Sequence, residues 1–146
     1  MKALSENRRA RFDYKISDTF EAGIELMGFE VKSAKSGRMQ LAGSYAIVRG
    51  GEAWLINSQI PPYQPNNTPA GYEPSRPRRL LLHRDEIKKL IGALKAKAFL
   101  IPLRAYLKNG FVKIELGLGK PRKKSDKREL LKKRAAEKEM KKFESG

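Results

Sequence analysis

The sequence predicts a mainly β protein: a small closed antiparallel barrel with two or three short helices, followed by a basic C-terminal tail. Three observations carry that prediction. Gly50-Gly51 and Asn109-Gly110 each stand between apolar runs that alternate with period two, the pattern of a β-hairpin. One segment, "HRDEIKKLIGALKAKAF", instead spaces its apolar residues as a helix does. Charge also thickens abruptly at Lys120: residues 120–146 hold 12 basic and 5 acidic side chains, against 20 and 11 in the 119 residues before them. A chain of 146 residues is the size of one ordinary domain. The expected division is therefore a body over 1–119 and a tail over 120–146.

The elements follow in order. "FDYKI" alternates Phe12, Tyr14 and Ile16 with polar neighbours and predicts a half-buried strand; "EAGIEL" predicts a second, with a bulge or bend at Gly23. "FEVKSAKSGRM" breaks that alternation and predicts a short helix closed near Gly37. "SYAIVRGGEAWLINSQI" is the first hairpin. Six of the eight prolines fall between Pro61 and Pro77, which excludes a central strand or a helix there and predicts a long loop. "RRLLLH" returns as a strand. In the helix after it, Ile87, Leu90, Ile91 and Leu94 share a face, Asp85 and Glu86 occupy the first turn and Lys95 and Lys97 the last, as the macrodipole favours. "FLIPLRAYLKNGFVKIELGLG" is the second hairpin, with Ile101, Leu103, Ala105 and Leu107 on one face and Arg104, Tyr106 and Lys108 on the other. About six short strands joined by hairpins suit a small barrel of the OB type with helices at its ends; an open α+β sandwich is the alternative.

The tail is built of good helix formers behind Ser125 or Asp126 as a cap, with Glu129 three residues after Asp126. Ala136, Met140 and Phe143 share a face, but Leu131 points nearly opposite Met140, so no broad apolar stripe holds the segment on the body. An isolated helix of this length is marginal in water. The expectation is a tail disordered alone and helical once a partner neutralises its charge.

A formal net charge of +16 is most easily tolerated when the partner is a polyanion. No stretch has the length and apolarity of a membrane span, and "MKALSENRRARFDYKI" lacks the apolar centre of a secretory signal, so the expected location is the cytoplasm. Cysteine is absent and His83 is the only histidine, which excludes thiolate chemistry and histidine-rich metal sites. "GLGKPRKK" fails the phosphate-loop pattern, because its glycines are too close and Pro121 stands where Ser or Thr belongs. Asp13, Asp18, Glu21 and Glu25 are the carboxylates from which a Mg²⁺-dependent nuclease would have to be built, at no diagnostic spacing. Neither enzyme nor cofactor is expected.

Three basic clusters mark the body: Arg8, Arg9 and Arg11; Lys32, Lys35 and Arg38; Arg76, Arg78, Arg79 and Arg84. Phe12, Tyr14, Phe29 and Tyr72 stand near them. Guanidinium forks for phosphate beside aromatic faces for unstacked bases suit a structured RNA. The residues alone leave open a general or ribosomal RNA-binding protein.

"NRRARFDYKI", "FEAGIELMGFEVKSAKSG", "GSYAIVRGGEAWLINSQIPPY", "RPRRLLLHRDEIKKL" and "KPRKKSDKRE", in this order, closely resemble the small protein B family, the tmRNA-binding proteins of bacterial trans-translation. The resemblance covers about residues 7–134. It implies an OB-like barrel that binds the tRNA-like domain of tmRNA and helps deliver it, charged with alanine and carried by elongation factor Tu, to ribosomes stalled without a codon. It further implies a tail that folds as a helix in the empty mRNA channel near the small-subunit decoding centre. Carried over by motif, the RNA-binding residues are Asn7, Arg8, Arg11, Tyr14, Glu21, Glu30, Lys32, Ser33, Arg76, Arg79, Leu81 and His83. The corresponding ribosome-binding residues are Lys120, Lys123, Lys124, Asp126, Lys127 and Arg128. Glu21 is acidic and so would orient an arginine or accept from a base or ribose; Leu81 would shape the site by packing. The chain departs from the family pattern at Pro121 and Ser125.

Overall fold

A computed structural model describes residues 2–145, with side chains through residue 142. One seven-stranded antiparallel sheet organises the described chain. Its strands are β1 (Lys2–Glu6), β2 (Tyr14–Ile24), β3 (Tyr45–Arg49), β4 (Glu52–Ile56), β5 (Arg78–Leu81), β6 (Phe99–Lys108) and β7 (Phe111–Pro121), hydrogen-bonded in the order β1-β6-β7-β2-β5-β4-β3. The helices are α1 (Ala10–Asp13), α2 (Gly28–Lys35), α3 (Arg84–Lys95) and α4 (Lys124–Ser145), with a 3-10 turn at Pro65–Asn67.

Both hairpins form where the turn glycines predict them. Gly50 and Gly51 have φ of 61° and 76°, and Asn109 and Gly110 have 52° and 81°. Those positive values are what a primed two-residue turn requires. The long strands are bent by bulges at Ser17 in β2 and Leu103 in β6, where one extra residue shifts the register against β7. The second bulge also admits Pro102, which cannot donate to a regular ladder. It splits the face expected for Ile101, Leu103, Ala105 and Leu107 of β6: Ala105 and Leu107 join the main core, whereas Ile101 and Leu103 form a smaller cluster with Ala10.

That small cluster needs close backbone approach. A Cβ on Gly119 would lie 2.7 Å from the Lys15 carbonyl oxygen, and one on Gly117 would lie 3.0 Å from Leu103 Cδ1. Glycine at both places lets Ile16 and Leu103 fold over β7. On the opposite side Phe20, Ala22, Leu55, Leu80, Ile114 and Leu116 meet Leu90 of α3 in the main core. Each fully buried Leu or Ile contributes roughly 1.5–3 kcal/mol relative to exposure.

Four expectations change. "FDYKI" and "EAGIEL" are one strand, and Phe12 precedes it in a helical turn. Gly23 lies in regular pairing, and the bulge falls at Ser17 instead. β1 was not anticipated, because "KALSE" has no β-branched or aromatic residue and lies at an edge. The hydrogen-bonded ladder is also open: β1 and β3 end it, and although β3 comes within 8 Å of β6 between Cα atoms, the two do not pair. The bends curl the sheet without closing it by hydrogen bonds.

Candidate RNA interface

β5 alternates: Arg78 and Leu80 face inward, Arg79 and Leu81 outward. The inward arginine meets a carboxylate. Glu30 and Arg78 are both 0% exposed, with Arg78 Nε donating to Glu30 Oε2 at 2.8 Å. Arg76 closes onto the same carboxylate, and the Met27 N–H donates to Glu30 Oε1 at 2.9 Å. Arg78 also donates to the Ser58 carbonyl at 3.1 Å, the Pro74 carbonyl at 2.9 Å and the Tyr72 hydroxyl at 3.0 Å. Burial alone would raise the Glu30 pKa, but the donors from Arg76, Met27 and Arg78 outweigh it and hold the carboxyl below its usual range. Ser33, also buried, donates to the Pro61 carbonyl at 2.6 Å. The cluster thus fastens the proline-rich loop to α2.

These contacts correct the motif-based expectation for three residues. Glu30 and Ser33 have no surface to offer RNA, and Arg76, 27% exposed, spends its fork on Glu30. Lys32 lies on the same helix but is exposed.

The outward sheet face is different. Glu21 accepts from the Tyr106 hydroxyl and from Lys108 Nζ at 3.2 Å. The Tyr106 hydrogen bond, aided by Lys108, keeps Glu21 ionised below the usual carboxylate range; burial and that carboxylate hold the Tyr106 phenol protonated well above its own. Two residues along, Gly23 pairs with Leu81 on one side and Lys113 on the other. Lacking a side chain, it leaves a notch over which Leu81 leans, 46% exposed. Arg79 stands beside Leu81, paired with Glu52 at 2.9 Å and Glu25 at 3.7 Å. His83 is exposed where β5 gives way to α3, and its backbone N–H donates to Glu86 Oε1 at 3.0 Å. Glu21, Arg79, Leu81 and His83 thus share the surface that β2 and β5 present.

The N-terminal motif lies elsewhere, against the tail. Asn7 is turned into the fold, donating from Nδ2 to the Pro102 carbonyl at 3.0 Å. Tyr14 packs on Phe99 with ring centroids 5.8 Å apart. Arg8 and Arg11 are exposed. The Phe12 ring collects three cations: Lys127 at 5.5 Å, Arg134 at 5.6 Å and Arg9 at 5.7 Å. Beside it Asp13 pairs with Lys127 at 3.3 Å and Arg9 at 3.5 Å. Burial would raise the Asp13 pKa, but the donors Lys127 and Arg9 lower it on balance. The Arg122 N–H extends the strand pairing by donating to the Asp13 carbonyl at 2.9 Å.

The tail begins later than expected. β7 runs through Pro121, taking Lys120 into the sheet, and α4 starts at Lys124. Asp126 sits at the third helical position rather than at the cap, accepting from the Lys123 N–H at 3.3 Å. Lys123, Lys124 and Arg128 are exposed, whereas Lys127 is turned to Asp13. Met140 is exposed; the Phe143 side chain lies outside those described.

Motif matching missed Arg78, Phe12, Asp13 and Arg104 as organising residues. The period-two rule applied to β5 would have found Arg78, since Leu80 faces inward. Arg9 is a near neighbour of Phe12 and Asp13, but nothing local marks their meeting with Lys127 and Arg134 of the tail, or that of Arg104 with Glu115, because those partners come from distant stretches of chain.

The SmpB protein family matches residues 4–145. The chain is 50% identical over 140 residues to the SsrA-binding protein of Gloeothece citriformis, covering 95% of this chain and 90% of that one. It is 48% identical over 141 residues to the SsrA-binding protein of Thermosynechococcus vestitus, covering 96% and 93%. A chain of the solved structure reported as "tmRNA-SmpB: a journey to the center of the bacterial ribosome" superposes with a TM-score of 0.65 at 44% identity, covering 82% of this chain and 84% of that one. A match that spans body and tail together, at this identity, makes the chain a member of the SmpB family.

Proposed function

We propose that this protein binds the tRNA-like domain of tmRNA and brings it to ribosomes stalled without a codon, acting in the cytoplasm and without catalysis. The observation that carries the reading is the family match over residues 4–145, which takes in both the cationic body and the tail. The curled sheet serves as an OB-like barrel in which the edge strand β3 approaches β6. Arg8, Arg11, Lys32, Arg79, Leu81 and His83 meet RNA, and Glu21, held ionised, accepts from a base or ribose. Glu30, Ser33 and Arg76 shape that surface from within, while Asn7 and Tyr14 fix the start of β2. Elongation factor Tu takes part through the alanyl-tmRNA.

The tail, 120–146 in the sequence division, works on the small subunit. Lys127 and Arg134 meet Asp13 and Phe12 of the body through contacts about one-third or more exposed, which contribute little tertiary energy. It is disordered much of the time alone and becomes a rod in the mRNA channel, where Lys120, Lys123, Lys124, Asp126, Lys127 and Arg128 act near the decoding centre.

Truncation after Lys123, which spares β7 and the Arg122 contact, tests the division of labour. The expected result is near-normal affinity for a tRNA-like-domain transcript and loss of peptide tagging on stalled ribosomes. Tagging at the full-length rate would refute the tail's part, and loss of transcript binding would refute the body's independence. Binding to the transcript and to an unrelated folded RNA should show similar salt slopes, with a large affinity gap persisting at about 0.2 M salt.

A further inference from the structure

Between the N-terminal motif and the tail lies a cleft of about 510 Å³, whose lining includes Glu6, Arg8, Arg11, Arg104, Glu115 and Arg134. Its four arginines come from four places: the turn after β1, α1, β6 and α4. Glu115 is shared by two of them, Arg11 at 3.6 Å and Arg104 at 3.3 Å. Arg104 is further held over the Tyr106 ring at 4.7 Å. Glu6 is the register partner of Arg104. Among the described residues neither Arg8 nor Arg134 forms an ion pair, and the Arg134 guanidinium lies over the Phe12 ring.

Four guanidinium groups therefore face two carboxylates, an excess of two positive charges in a confined space. Like charges that close repel, and here the repulsion acts between body and tail, because Arg134 is the cation that α4 contributes. An anion between them reverses its sign. Guanidinium forks match phosphate oxygens in geometry and form charge-assisted bonds stronger than neutral ones.

We propose that this cleft is a phosphodiester-binding site that clamps α4 to the body when an RNA backbone occupies it. The proposal rests on the RNA-binding reading above and specifies how one RNA contact orders the tail. Arg8 and Arg134 supply the free forks, and Arg11 and Arg104, fixed by Glu115, form the floor. Phe12 holds Arg134 at the rim.

Amide hydrogen exchange of the full-length protein, followed over residues 124–134, reads the clamp directly. The first probe is inorganic pyrophosphate, which needs no cognate RNA. A ligand bound only by the docked form slows exchange about tenfold at ten times its dissociation constant. That slowing is expected in wild type and in Lys89→Ala, a control on α3, and is expected to vanish in Arg8→Ala and Arg134→Gln. No slowing in wild type, equal slowing in Arg134→Gln, or slowing by a glutamate-rich peptide alone would overturn the site.

The tRNA-like-domain transcript and isolated small subunits then identify the source of the phosphate. Protection lost in Arg8→Ala and seen with the transcript assigns the site to tmRNA; seen only with the subunit, it assigns the site to ribosomal RNA. Protection by pyrophosphate and by neither RNA would leave an adventitious ion only and sink the proposal. A transcript that fails to bind the wild type while pyrophosphate still protects would refute the proposed function and not the anion site.

Discussion

The Glu30 cluster and the Phe12–Asp13 joint are built from the same parts, a carboxylate, several cations and an aromatic ring, yet they do opposite work. Around Glu30 the carboxylate and Arg78 are fully buried, Arg76 alone reaching solvent at 27% exposure, and Tyr72 packs edge-on against Phe29 with centroids 4.7 Å apart. Around Asp13 the partners are about one-third or more exposed. Burial decides the difference. A buried pair left half-made exposes an uncompensated charge to a low dielectric, whereas an exposed pair exchanges its partner for water at little cost. The first region is fixed architecture; the second can let go of the tail.

Breaking the buried side should have the largest effect. Glu30→Gln leaves Arg78 inside the protein without a counter-charge, and the expected loss is about 3–5 kcal/mol in unfolding free energy, read from urea titrations. The proline-rich loop should loosen first, since Arg78 holds the Ser58 and Pro74 carbonyls and Tyr72 reaches the Ile60 carbonyl at 2.8 Å. A loss under about 1 kcal/mol would erase the contrast with Asp13.

Acidity sharpens the same point. The folded pKa of Glu30 is lowered, so its contribution is complete above the unfolded carboxylate value of about 4.3 and disappears as pH falls through the lower folded value. The stability gap between wild type and Glu30→Gln should be constant from pH 5 to 7 and narrow progressively below about pH 4. A gap that widened on acidification would mean that the carboxyl is held neutral rather than ionised.

Gly119→Ala probes the packing that places α1 and the tail joint. The new Cβ would sit 2.7 Å from backbone oxygen, which cannot swing aside as a side chain can. The expected cost is about 1–3 kcal/mol by thermal or urea unfolding, with exchange rising along Tyr14–Ile16. Gly28→Ala, where a Cβ meets nothing within 4 Å, is the matched control and should cost far less.

Local chemistry made much of this legible. Asn109-Gly110 and Gly50-Gly51 allowed the hairpins to be placed because only a few residue types tolerate those turns, and the α3 stripe was unambiguous. The bulges at Ser17 and Leu103 were not, since nothing in "KISDT" or "IPLRA" says which residue is the extra one; that depends on Gly117 and Gly119 across the sheet. The candidate site divided in the same way. Leu81 and His83, which the motif implies as RNA-binding, are exposed, whereas Glu30 and Ser33 point inward, and a motif does not tell a residue that touches RNA from one that supports the surface. The meeting of Arg8 and Arg11 with Arg104 and Arg134 was invisible because it joins three separate stretches of chain.

The smallest effects belong to the joint itself. Lys127→Ala removes one exposed ion pair and one of three cations near Phe12, and Phe12→Ala removes the ring that all three share. Exposed ion pairs are worth about 0.2–1 kcal/mol and exposed cation–π contacts about 0.5–1 kcal/mol. The global unfolding midpoint should therefore barely move in Lys127→Ala, while the amides of residues 124–134 exchange several-fold faster, more so in Phe12→Ala. Higher salt should imitate Lys127→Ala, because an exposed pair is screened and the Glu30 cluster is not. A midpoint that fell in Lys127→Ala as far as in Glu30→Gln would show that α4 is part of the folded core, and the separation between a rigid body and a releasable tail would fail.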